Sequence, residues 1–247
     1  MTTTPTGEVA RVQDALVARI VAGAYPAGLR LPPELALARE LGCGRGTLRE
    51  ALRSLASMGL VSSRRGSGVL VHDFRRNGTL ALLPAYLSAG RYEHPLSAVA
   101  GELLHTRRFL AMEASRLAAR YATAPDLAPA KAVQKRLGAL SGDPVAHTLA
   151  EMELFRELLH ASKMWPSVWL ANAFWEPLRA MHERFAATIG FVPDGHATMV
   201  KSLFARIERR DAEGAAKVVG THFARVDDVL LPMLDSLFAP TQESRAR

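Results

Sequence analysis

Apolar positions change period along the chain, and those changes divide it. Val9, Val12, Leu16 and Ile20 recur at helical spacing and predict an amphipathic helix over 8–22. Gly23-Ala24-Tyr25-Pro26-Ala27-Gly28 breaks it, and Leu29-Arg30-Leu31 reads as a short extended piece. Pro32-Pro33 opens a second short helix over 34–41, because a proline at a helix start lacks only a donor that would be unpaired there. After the turn Gly42-Cys43-Gly44, residues Leu48, Leu52 and Leu55 mark the buried face of a third helix, which Gly59 stops. Two short helices joined by a tight glycine-containing turn predict a helix-turn-helix. The β-prone runs on either side of Gly66-Ser67-Gly68 predict a hairpin directly after it, in the position of a wing.

Beyond the polar segment 74–78 no strand pattern recurs. A short apolar helix is predicted over 79–88. Longer helical patterns follow at about 96–122, 126–140, 144–162, 167–188, 193–209 and 211–237, punctuated by Pro125, Gly142, Pro144, Pro166, Gly190 and Pro193. Six or seven helices with short loops predict an antiparallel bundle. The predicted fold class is mainly α. A winged helix-turn-helix domain occupies 8–74, a connector with a short helix 75–95, and an all-α bundle 96–238. Residues 1–7 and 240–247 read as loose ends.

Charge changes what the third helix means. Arg45, Arg49 and Arg53 lie four apart and fan over roughly 80° beside the leucine face. Taken alone, such a stripe is equally an ordinary solvated face. The chain carries a net +7, but residues 1–76 account for +5 of it and the other 171 residues for only +2. A basic end on a nearly neutral body points to a polyanion partner for that end. A helix-turn-helix lays its second helix in the major groove with its N-terminal residues foremost; here these are Arg45, Gly46 and Thr47. Arg64 and Arg65 at the hairpin tip are placed to reach phosphate or the minor groove.

A single cysteine, Cys43, excludes an intrachain disulfide and a cysteine zinc cluster. No run of 18 apolar residues and no charged-then-apolar leader occurs. The expectation is a soluble, cytoplasmic protein that does not engage a membrane.

Three stretches carry a resemblance: IVAGAYPAGLRLPPE, RGTLREALRSLASMGLV and RRGSGVLV. In order and spacing they resemble the N-terminal domain of the GntR family of bacterial transcription regulators. The resemblance implies operator contacts from Arg45, Thr47 and Arg49, and from the wing through Arg65 and Gly66; the stripe and the hairpin tip add Arg53 and Arg64 as candidates. Two positions depart from the family pattern. Leu35 stands where an arginine is usual, and Gly44 stands where a Ser or Thr usually caps the recognition helix. The helical part resembles, more loosely, the FCD effector domain of the FadR subfamily. Leu104-His105-Thr106-Arg107, Phe155-Arg156 with Ala161-Ser162, and Arg210 to Ala216 leading to His222 carry that likeness.

Many FCD domains hold a metal through an Asp and a His one turn apart plus two further histidines. Aligned here, those positions fall on Met152, Arg156, Val200 and His222, with Glu151 and His196 out of phase. The resemblance therefore implies no metal. Arg107 and Arg156 lie within apolar helix faces, His222 lies at the edge of one, and Arg108 points away. A buried cation needs a partner. Either acidic side chains such as Glu102 or Glu151 pair with the arginines, or an anionic ligand does. The effector-domain resemblance favours an anionic metabolite, an organic acid or an acyl-CoA, bound by Arg107, Arg156 and His222. It implies a homodimeric repressor reading a palindromic operator, with an acyl-CoA-responsive activator or repressor as the alternative. A metal-dependent helical enzyme is disfavoured: the eight histidines form no H-x-x-x-H pair, and no nucleophile motif occurs.

Overall fold

The computed structural model describes residues 7–64, 68–89, 96–140 and 142–238. Arg65 and Gly66, and most of both loose ends, lie outside the described residues, as does the side chain of Arg64. The protein is mainly α and divides into two compact units, Met1–Glu93 and His94–Arg247.

In the first unit α1 (Gly7–Val21), α2 (Glu34–Glu40) and α3 (Arg45–Ser57) enclose one core with the hairpin β1 (Val61–Arg64) and β2 (Gly68–Val71). Val12, Leu16, Leu37, Leu48, Leu55 and Leu60 are fully enclosed in it, so each helix buries the face its periodicity marks. The strands pair antiparallel, Val61 opposite Val71 and Arg64 opposite Gly68. The extended piece at Leu29–Leu31 adds a third edge to this hairpin: Leu31 N–H donates to Val69 O, and Val71 N–H to Leu29 O, both at 2.9 Å.

Helix α3 ends in a Schellman arrangement. Leu60 N–H bonds Leu55 O at 2.9 Å and Gly59 N–H bonds Ala56 O at 3.1 Å, with Gly59 at φ +78°. A Cβ on Gly59 would stand 1.9 Å from Asn77 O, so the position requires glycine twice over. The segment after the hairpin packs on this same unit. Asp73 caps the short helix α4 (Phe74–Asn77), and Leu82 and Ala85, flanking the start of α5 (Leu83–Ser88), enter its core.

The second unit is a helical bundle of α6 (Leu96–Tyr121), α7 (Ala128–Leu137), α8 (Pro144–Ala161), α9 (Trp165–Ile189), α10 (His196–Glu208) and α11 (Ala212–Phe238). Helices α6 and α11 make the longest contact, and α8 packs against α6, α7 and α9. At Gly220 a Cβ would meet Met112 Sδ at 2.8 Å, which is how closely α6 and α11 approach. Asp211 caps α11 by accepting from Gly214 N–H at 2.9 Å. Its carboxylate fills the space where a Gly214 side chain would stand. The Arg210–Ala216 stretch thus has a structural reason for its Asp and Gly. No helix among the described residues is long and apolar enough to cross a membrane.

Candidate functional site: a nucleic-acid face and an interior cavity

The nucleic-acid face is built on α3. Its leucines turn inward, which forces the arginine stripe outward: Arg45, Arg49 and Arg53 are all exposed. Gly44 is extended at the N-cap and offers no side-chain bond, so the first N–H groups of α3 face outward without a cap. Such a helix start favours a phosphate. Arg45 and Arg53 carry no ion pair among the described residues. Arg49 differs, because its Nε donates to Glu34 Oε2 at 2.8 Å. Thr47 is half-buried, its hydroxyl 3.4 Å from Glu8 Oε2. Leu35, in the position of the usual arginine, is exposed. A groove of about 330 Å³, lined by Glu34, Arg49, Arg53, Val61, Ser63 and Val69, lies between α3 and the hairpin.

The bundle holds the other group of predicted residues, and here the structure separates them. Arg107 on α6 is nearly enclosed. Its Nη2 bonds Asp227 Oδ1 at 3.2 Å, its Nη1 lies 3.9 Å from Glu151 Oε2, and its guanidinium sits 4.3 Å from the Phe223 ring centre. Acidic partners therefore hold Arg107. Glu102 is not among them; it is exposed. Arg108 does not point away as its phase predicts. It shares Asp227, with Nη1 3.2 Å from Oδ2, because the long side chain reaches round to α11. Arg156 on α8 is half-buried. Its guanidinium lies 4.4 Å from the Trp175 ring centre, its Nε is buried with no partner, and it makes no ion pair among the described residues.

His222 is buried, and it belongs to a cluster the sequence reading did not assemble. Glu151 and His196, set aside as out of phase, meet in the interior: His196 Nε2 lies 2.9 Å from Glu151 Oε1. His147, one turn before Glu151, stacks edge-on to His196 with ring centres 4.5 Å apart, and His222 lies 5.7 Å from His196. The local signal was His147-x-x-x-Glu151. A search restricted to paired histidines misses a mixed pair on the same helix face. Met152 lines the adjoining cavity, and Val200 is plain core.

Burial would push Glu151 up, but contact with His196 and the charges of His196, Arg107 and His147 outweigh it and hold it at about 2. Burial lowers His147 and His222, and takes His182 down to about 4 with the Arg107 charge assisting. Burial raises Asp227 against the opposing pull of Arg107 and Arg108. The interior is thus an ionised carboxylate–arginine network beside His147, His182 and His222, which burial drives toward the neutral form.

Three imidazoles and a carboxylate suit a divalent cation as a donor set. As arranged, they are turned on one another. Glu151 spends one oxygen on His196 and faces Arg107 with the other, and no group of three or more His, Cys, Asp or Glu among the described residues is placed to hold a metal.

Beside this network, between α6, α8, α9 and α11, lies a cavity of about 220 Å³ with walls that are almost wholly hydrocarbon. Arg107, Arg156, Glu151 and His182 reach its edge.

A winged helix-turn-helix followed by an all-α unit with a hydrocarbon-walled cavity defines a two-part architecture. Two family models agree: that of the bacterial regulatory proteins of the gntR family matches residues 8–71, and that of the FCD domain matches residues 102–225, half of the chain. The protein belongs to the GntR family, in the group whose members carry an FCD domain. It is 33% identical over 153 residues to the uncharacterized HTH-type transcriptional regulator Rv0494 of Mycobacterium tuberculosis, across 62% of this chain and 61% of that one. It is 27% identical over 211 residues to the putative L-lactate dehydrogenase operon regulatory protein of Escherichia coli, across 81% of this chain and 77% of that one. The chain spans less than two thirds of several curated relatives it matches, 61% of Rv0494 and 28% of two others. Among solved structures, Lar of Listeria monocytogenes shares the fold, with a TM-score of 0.53 and 18% identity over 94% of this chain and all of that one.

Proposed function

We propose that the protein is a sequence-specific DNA-binding transcriptional regulator, a repressor, whose operator affinity is set by a small anionic metabolite bound in the helical unit. Residues 8–74 read DNA, 75–95 connect, and 96–238 sense the effector and pair two copies. The homodimer places two α3 helices on the half-sites of a palindromic operator. The protein acts in the cytoplasm, has no catalytic residues, and this reading assigns it no metal.

One observation carries the reading. Exposed Arg45, Arg49 and Arg53 line an uncapped helix beside a β-hairpin, while Leu48, Ala51, Leu52 and Leu55 of the same helix enter the core. Arg45, Thr47 and Arg49 supply base readout, at about 1–3 kcal/mol of discrimination for a bidentate arginine–guanine pair. Arg53 and the wing residues Arg64, Arg65 and Gly66 supply backbone contacts. Arg107 and Arg156 border the effector site, and His222 lies in the cluster beside it. By linkage, DNA and effector alter each other's affinity by the same factor. The test is selection of duplexes from a random pool by the full chain, followed by binding of the selected DNA with and without organic acids. A chain that selects no sequence refutes the reading.

A second reading is favoured by the buried Glu151 Oε1, His196 Nε2 and His222 Nε2, none of which has a well-formed hydrogen bond. A divalent ion held by His147, Glu151, His196 and His222 would satisfy them, once the Glu151–His196 contact opened. Metal analysis of the purified protein decides: a stoichiometric ion that His222→Ala removes establishes this reading in place of the metal-free one.

A further inference from the structure

Arg107 and Arg156 border the same cavity but differ in charge balance. Arg107 is held by Asp227 at 3.2 Å and faces Glu151 at 3.9 Å, and Asp227 also takes Arg108. That group is neutral without any ligand. Arg156 has the Trp175 face, 4.4 Å from its guanidinium, and no ion pair among the described residues; its Nε, like that of Arg107, is buried without a hydrogen bond. The acidic residues at the cavity edge are otherwise engaged: Glu113 with Arg116, and Glu151 with His196 and Arg107. One positive charge at the cavity is therefore left without a counter-ion among the described residues.

The rest of the cavity constrains what that counter-ion is attached to. Leu110, Met152, Phe155, Leu159, Leu178 and Phe223 line a space of about 220 Å³. Walls of this kind return affinity for hydrocarbon and penalise each hydroxyl or second charge brought in without a partner. We infer that the cavity takes a monocarboxylate with a mostly apolar body, aryl or medium-chain alkyl, its carboxylate on Arg156 and its body against Phe155 and Phe223. Hydroxy acids and dicarboxylates are disfavoured there. A guanidinium already held over an indole can present its N–H fork to a carboxylate in the plane of the fork. Arg107 then serves to hold the bundle together and does not bind the charge.

This inference rests on reading the helical unit as an effector domain, and the two fail separately. The experiment is calorimetric titration of the full chain with phenylacetate, octanoate, L-lactate and the uncharged phenylacetamide, alongside binding of the selected DNA. Phenylacetate or octanoate should bind at least about tenfold more tightly than L-lactate, and phenylacetate about tenfold more tightly than its amide. Arg156→Gln should weaken the apolar acids by about tenfold, with part of the loss recovered in Arg156→Lys. Tighter binding of L-lactate, equal binding of acid and amide, or no binding of either apolar acid at millimolar concentration overturns the assigned class. The acid–amide comparison uses the unaltered chain, so it stands even where a variant fails to fold. If the predicted acid binds but DNA affinity does not change, the ligand class survives and the effector reading falls.

Discussion

The two units use arginine in opposite ways. In α3, Arg45 and Arg53 stand exposed with no ion pair among the described residues, and Arg49 pairs with the surface carboxylate of Glu34. In the bundle, Arg107 is almost enclosed and tied to carboxylates from two other helices. A surface arginine contributes little to stability and is free to meet a partner. A buried one is part of the frame, and removing it strands the charges it neutralised. Arg156 stands between these limits, buried at Nε like a frame residue but, among the described residues, without an ion pair like a binding one.

The largest effect should come from the frame. Arg107→Ala leaves Glu151 and Asp227 buried without their cation and should destabilise the bundle by about 3–5 kcal/mol, read as the loss of its thermal transition. A variant that melts like the wild type would erase the contrast between the units. Acid should act on the same region. His182 has its pKa depressed to about 4, so the unfolded chain binds the proton first and stability falls as pH drops from 6.5 toward 4. That single group contributes on the order of 3 kcal/mol. His147 and His222 are lowered as well and add in the same direction, and Glu151 continues the loss below pH 4.5. Chemical denaturation between pH 7 and 4 reads this, and a flat profile would mean that the histidines are not buried neutral.

The surface set should respond in binding instead. Arg45→Ala is expected to cost about 1–3 kcal/mol of base discrimination with no change in melting temperature. Glu34→Gln breaks only the exposed pair with Arg49 and should shift stability by no more than about 0.5 kcal/mol in a denaturation curve. Smallest of all, Gly44→Ser supplies the missing cap and should stabilise the first unit by a few tenths of a kcal/mol. A larger gain would mean that the start of α3 is strained.

What was readable in the sequence follows the same division. Helix α3, its glycine stop and the hairpin depend on residues within a few positions of one another, so period and turn chemistry reveal them. The pairing of Leu29–Leu31 with the hairpin was not readable, because an extended tripeptide does not name its neighbour. In the bundle, periodicity located the helices and placed Arg107 and Arg156 on inward faces. It did not find Asp227, 120 residues from Arg107, nor the way Arg108 bends to the same carboxylate. The meeting of Glu151 with His196 and His222 depends on how α8, α10 and α11 rotate against each other. The family's ligand spacing leaves Glu151 out of phase, although its own helix offers His147 one turn away.

The central claim is that the α3 arginines read a DNA sequence. It is tested most directly by fluorescence anisotropy of the full chain on its selected duplex and on a scrambled one of equal length and charge, at fixed salt, for the wild type and Arg45→Ala. The wild type is expected to prefer the selected duplex by about a thousandfold or more, and Arg45→Ala to cut this preference by about 5- to 150-fold while keeping the weaker binding common to both duplexes. An Arg45→Ala protein that still discriminates as the wild type does would contradict the claim.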